Sequence, residues 1–131
     1  MTKTESKVIT FEKSVRALEK SLVRYNDGDQ DQIFFRDSAI QRFEMSFDLA
    51  WKTLKIYLFD KKGVTVKTPK DTFKEAFNAD FIKSDNTMWL DMTDDRNLMS
   101  HVYDEDEAQR VFEKIPKYLV LFKELLEELR K

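Results

Sequence analysis

The chain has 131 residues, no cysteine, two glycines, two prolines and 37% charged residues. That length lets one domain bury a core without staples, the lack of cysteine excludes a disulfide framework or a thiolate metal site, and so few helix breakers favour long helices over a strand-and-turn fold. A net charge of −2 gives no overall attraction for nucleic acid, so any such binding must be local.

Val8, Phe11, Val15, Leu18, Leu22 and Tyr25 recur at spacings of three and four, which predicts a first helix from about Ser6 to Tyr25 with one apolar stripe. Asn26-Asp27-Gly28-Asp29 breaks it. A second helix is expected from near Asp31 to Asp60, with Ile40, Phe43, Phe47, Ala50, Trp51, Leu54 and Leu58 at the same kind of spacing. Gly63 and Pro69 bracket a loop. Thr68, with proline next and Asp71 three residues on, has the pattern of an N-cap opening a short third helix. The apolar residues of that helix are Phe73, Ala76 and Phe77, with Phe81 beyond them. Ser84-Asp85-Asn86 offers caps for a fourth helix reaching about Tyr103. Asp104, with Glu107 three residues later, starts a fifth whose stripe is Val111, Ile115, Leu119, Phe122, Leu126 and Leu129, and which Pro116 should kink.

The expected fold is therefore all-α: a mostly antiparallel up-and-down bundle of four long helices plus one short one, residues 1–131 forming a single domain. Leu121 and Leu125 extend the apolar surface of the last helix beyond one seam, which suggests a helix partner; five helices covering one another would explain it equally well. The N-terminus is polar, and nowhere do some 18 uncharged apolar residues follow one another. Neither export nor membrane spanning is expected, and the chain suits a reducing cytoplasm.

Charge is unevenly spread. Asp91 to Glu107 carries seven acids against one arginine, a net of −6, and Lys52 to Lys83 carries eight lysines against four acids, a net of +4. Solvated helix faces also produce such runs.

The sole histidine, His101, lies in Asp95-Arg96-Asn97-Leu98-Met99-Ser100-His101-Val102-Tyr103. Histidine takes and gives protons near neutrality, and the planar arginine fork matches phosphate oxygens. His101 removing the proton of a ribose 2′-hydroxyl, with Arg96 stabilising charge on phosphorus, would cut RNA without a metal or other cofactor. Five residues turn an ideal helix by about 140°, so the two converge only if the helix frays or bends, or if a twofold axis brings Arg96 of one protomer to His101 of another. The surrounding acids would repel RNA and keep His101 protonated unless they point away, which favours a general-acid role. Asp95, Asn97 and Ser100 are the neighbouring polar groups that could support the pair. Glu44 and Asp48, one turn apart, could bind a divalent cation, although Asp48 with Lys52 is also an ordinary ion pair. Trp51 and Trp89 could stack bases, but Trp51 falls in the apolar stripe.

Arg96 through Tyr103 matches the Arg-x4-His-x-Tyr signature of HepT-type HEPN toxins, and Phe43 through Lys55 resembles the corresponding helix of the nucleotidyltransferase substrate-binding branch of that superfamily. The likeness runs over nearly the whole chain. It implies a homodimer that pairs with a minimal nucleotidyltransferase, a toxin-antitoxin arrangement in several members. In it, Arg96 and His101 would be the catalytic pair of a metal-independent ribonuclease acting on an RNA such as tRNA or mRNA. Tyr103 would be the hydroxyl that the partner modifies with AMP, and the bulky, anionic adduct would block a cleft between the two protomers that Arg96 and His101 line. The alternative in the same family is a non-catalytic adaptor subunit of a nucleotidyltransferase complex, with the Lys52 to Lys83 segment contacting nucleic acid or the partner.

Overall fold

The computed structural model describes residues 1–25, 31–83, 86–101 and 104–131, with side chains for all of these except 24, 25, 86 and 101. They form five helices: α1 (Lys3–Tyr25), α2 (Gln32–Lys62), α3 (Pro69–Asn78), α4 (Asn86–His101) and α5 (Glu105–Leu129). The described residues contain no strand, so the all-α expectation holds. None of their helices is long and apolar enough to cross a membrane.

The helix ends follow local chemistry. Thr68 Oγ1 accepts the Asp71 N–H at 3.2 Å, with Pro69 in the first turn, so α3 opens as its sequence predicts. The Asp104 carboxylate accepts the N–H groups of Asp106 and Glu107 and satisfies two of the orphan donors of α5. Gly63 ends α2 at φ +67°, a left-handed conformation that costs glycine little. Helix α5 runs without a break across Pro116.

Side-chain pairs fix the directions. Ser14 meets Ser46 at 3.0 Å and Thr4 meets Asp60, so α1 runs antiparallel to α2. Glu12 pairs with Arg130 and Glu19 with Lys123, so α1 is antiparallel to α5 as well. Arg36 binds Glu105 at 2.7 Å near the starts of α2 and α5, which run parallel. Asp95 meets Arg110 while Trp89 meets Phe122, so α4 opposes α5. The long helices thus alternate up and down, with α3 packed against α2 and α4.

An aromatic cluster joins all five helices. Phe122 on α5 lies 5.9 Å from Phe11, 6.2 Å from Phe43 and 5.9 Å from Trp89, centroid to centroid. Phe73 on α3 adds contacts to Phe47 at 5.7 Å and Trp89 at 4.7 Å. Such ring pairs, in edge-on and tilted arrangements, add specificity to the burial of large apolar area.

Of the two readings of Leu121 and Leu125, the structure favours helices covering one another: they are 3% and 2% exposed, because the wide apolar surface of α5 is shared among α1, α2 and α4 within the chain. Two expectations are corrected. Trp89 is 1% exposed and belongs to the core, so it cannot stack a base. Phe77 is exposed, since α3 is short and turns only Thr72, Phe73 and Ala76 inward. Trp51 is only partly buried, with the Lys55 ammonium 6.0 Å from its ring centroid.

Candidate functional site

Asp95, Arg96, Asn97 and Ser100 lie on α4, the helix that ends at His101. Adjacent helical residues are turned by about 100°, so Asp95 and Arg96 serve different neighbours. Asp95 faces α5 and is 4% exposed. Its carboxylate accepts the Tyr118 hydroxyl at 2.5 Å, and pairs with Arg110 at 3.0 Å and Lys114 at 3.3 Å. Burial first, then this hydrogen bond, hold the Tyr118 hydroxyl protonated well above the ordinary phenol range.

Arg96 faces α2. Its Nε donates to Asp48 Oδ1 at 3.4 Å and its Nη2 to Asp48 Oδ2 at 3.2 Å, a two-point grip on one edge of the guanidinium. On the other edge Nη1 donates to the Ser100 hydroxyl, one helical turn on, and lies 3.4 Å from Glu44 Oε2. The Arg96 side chain is 20% exposed, Glu44 28% and Asp48 39%. Burial raises the Glu44 pKa above the ordinary carboxylate range; Arg96 pulls it back down and Asp48 pushes it further up.

Glu44 and Asp48 therefore face the Arg96 guanidinium. They converge on Arg96, and among the described residues no group of three or more histidine or acidic side chains is placed to hold a metal ion. Sequence spacing could not give this pairing, because Arg96 lies 48 residues from Asp48. The local sign was a pair of acids one turn apart on one face of α2.

The acidic run is less repulsive than its count implies. Asp94 pairs with Lys70 at 2.8 Å, which joins the acidic and basic segments. Asp95 is neutralised from α5, Glu105 binds Arg36, Glu107 binds Arg110 at 2.9 Å, and Asp104 is engaged as a cap. Asp37, Glu44 and Asp104 nevertheless line a cavity of about 180 Å³ with Met99, where α2, the end of α4 and the start of α5 meet.

The structure thus brings Arg96 and Ser100 together, leaves Asn97 exposed, and turns Asp95 away from them into the α4–α5 contact. His101 is the last residue of α4, but its side chain lies outside the described residues, as does Tyr103. Helix α4 stays regular through His101, so the backbones of 96 and 101 stand about 140° apart around its axis.

Comparison with known proteins bears on the whole chain. Residues 6–131 match the model of a family described as "Nucleotidyltransferase substrate binding protein like". The chain is 30% identical over 125 residues to a Haemophilus influenzae protein named "Probable ribonuclease HepT", covering 87% of this chain and 85% of that one. A crystal structure of a Thermus thermophilus protein superposes with a TM-score of 0.82 at 33% identity, over 92% of this chain and 99% of the other. A second structure, from Haemophilus influenzae, gives a TM-score of 0.79 at 26% identity over 95% and 99% of the two chains. It is described as revealing the fold of a substrate binding domain of a nucleotidyltransferase.

Proposed function

The chain belongs to the nucleotidyltransferase substrate binding protein like family, and from that membership we propose that it is the HEPN subunit of a pair with a minimal nucleotidyltransferase. In this reading it is a cytoplasmic homodimer that cuts RNA without a metal ion. Arg96 holds the scissile phosphate and stabilises its developing charge. His101 transfers the proton of the 2′-hydroxyl, and Tyr103 is the site where the partner adds AMP to silence the enzyme. A twofold axis supplies the convergence that a single helix denies to residues 96 and 101.

One observation supports this reading: Arg96, the first residue of the Arg-x4-His-x-Tyr signature, is oriented by Asp48 and Ser100 rather than loose in solvent, in a chain similar over most of its length to a probable ribonuclease. A guanidinium fixed in advance loses less entropy on meeting a phosphate. The test is incubation of the purified chain with tRNA and mRNA in excess chelator. Wild type should cut, leaving 2′,3′-cyclic phosphate ends, while Arg96→Ala and His101→Ala should not.

The adaptor reading is favoured by the same arginine seen differently. Two carboxylates already compensate Arg96, so it can serve as a tie between α4 and α2 and nothing more. An adaptor would show no cleavage by wild type or either variant, together with stable binding to the nucleotidyltransferase.

A further inference from the structure

The two carboxylates on Arg96 hold it unequally. Asp48 makes two hydrogen bonds, to Nε and Nη2. Glu44 makes a single charge contact to Nη1 at 3.4 Å, and the hydrogen bond at that nitrogen goes to Ser100. With both acids ionised the cluster already carries one excess negative charge. A phosphodiester added to it would face two carboxylates across one guanidinium, which at separations of a few ångströms is strongly unfavourable in a partly buried setting. Anion binding at Arg96 therefore requires one carboxylate to leave. The less firmly held is Glu44, with a single contact against the two hydrogen bonds of Asp48, and Glu44 also lines the cavity between α2, α4 and α5.

We propose that Glu44 is the resident counterion of an anion-binding edge on Arg96: an RNA phosphodiester oxygen replaces it at Nη1, while Asp48 keeps its grip on Nε and Nη2. The Ser100 hydroxyl accepts from the same Nη1 and donates to the Arg96 carbonyl oxygen at 3.3 Å, which keeps it beside that edge. Glu44 then sets how strongly the site holds RNA, and Asp48 is a positioning residue that sets how the guanidinium is aimed. This rests on the reading of Arg96 as a phosphate-binding group.

The test is equilibrium binding of a short single-stranded RNA, fully 2′-O-methylated so that it cannot be cut, followed by fluorescence anisotropy. Wild type, Arg96→Ala, Glu44→Gln, Glu44→Ala and Asp48→Asn are compared, each first checked for native helicity and cooperative melting. Both Glu44 variants should bind roughly threefold to tenfold more tightly than wild type, from the removal of a like charge beside the phosphate, and Asp48→Asn more weakly. Arg96→Ala binding as tightly as wild type would overturn the underlying reading and the proposal with it. Arg96-dependent binding that the Glu44 variants leave unchanged or weaken, or that Asp48→Asn tightens to the same degree, would overturn the proposal alone.

Discussion

Asp95 and Arg96 are neighbours in the chain, yet their charged groups are held by different helices: Asp95 by Tyr118, Arg110 and Lys114 on α5, and Arg96 by Glu44 and Asp48 on α2. One dipeptide thus fixes the rotation of α4 about its own axis from both sides. The chemistry proposed for Arg96 depends on that rotation.

Asp95→Ala should be strongly destabilising. It leaves the Tyr118 hydroxyl without its buried acceptor and removes the counter-charge of Arg110 and Lys114. Breaking a buried network of this kind costs about 2–4 kcal/mol, or about 10 °C in melting temperature for a chain of this size. Tyr118→Phe, which removes only the hydroxyl, should cost less, about 1–2 kcal/mol. Urea and thermal unfolding measure both. A loss below about 0.5 kcal/mol for Asp95→Ala, the range of ordinary surface substitutions, would show that the network contributes nothing.

Glu44 should leave a signature in the pH dependence of stability. Its pKa is raised by burial, so the folded chain keeps a proton that the unfolded chain releases. Just above the ordinary carboxylate range the folded state therefore binds more protons, and stability falls as pH rises through that window. Glu44→Gln removes the ionisation and should remove this part of the fall. The check is a set of urea midpoints for both proteins from about pH 4 to pH 8. A difference between them that does not change with pH would refute the assignment.

Trp89 should behave as core and not as a base-stacking platform. In a Trp51→Phe background its fluorescence should be blue-shifted, poorly quenched by acrylamide and indifferent to added RNA, given its 1% exposure between Phe73 and Phe122. Trp89→Ala should cost about 3–5 kcal/mol. Quenching of Trp89 by RNA would contradict its placement.

Thr68→Ala removes the side-chain acceptor of the Asp71 N–H and should cost about 1 kcal/mol. Its effect should be confined to α3, read as faster amide exchange in the first turn of that helix. Loss of protection throughout α2 and α4 would mean that α3 is not a locally capped element.

Most of the bundle was legible because helix burial follows a 3.6-residue period. Phe11, Val15 and Leu18, and Phe43, Phe47 and Leu54, lie inward as their spacing implies, and the caps at Thr68 and Asp104 are local chemistry that the chain states in three residues. What the sequence hid is long-range. Leu121 and Leu125 looked surplus because one helix does not reveal how many neighbours share its surface. Glu44 and Asp48 suggested a pair with Lys52 or a divalent cation, because their partner is a guanidinium on α4, far away in the chain. Asp95 counted as one of seven repelling acids, although its charge is answered from α5.

The central claim, that Arg96 and His101 make this chain an RNA-cutting toxin subunit, is tested most directly in a host expressing it without its partner. Wild type is compared with Arg96→Ala and His101→Ala at matched soluble levels, with growth followed and total RNA inspected. Wild type alone should arrest growth and fragment RNA, and co-expression of the nucleotidyltransferase should relieve both. Normal growth and intact RNA with well-folded wild type would contradict the claim and leave the adaptor as the reading.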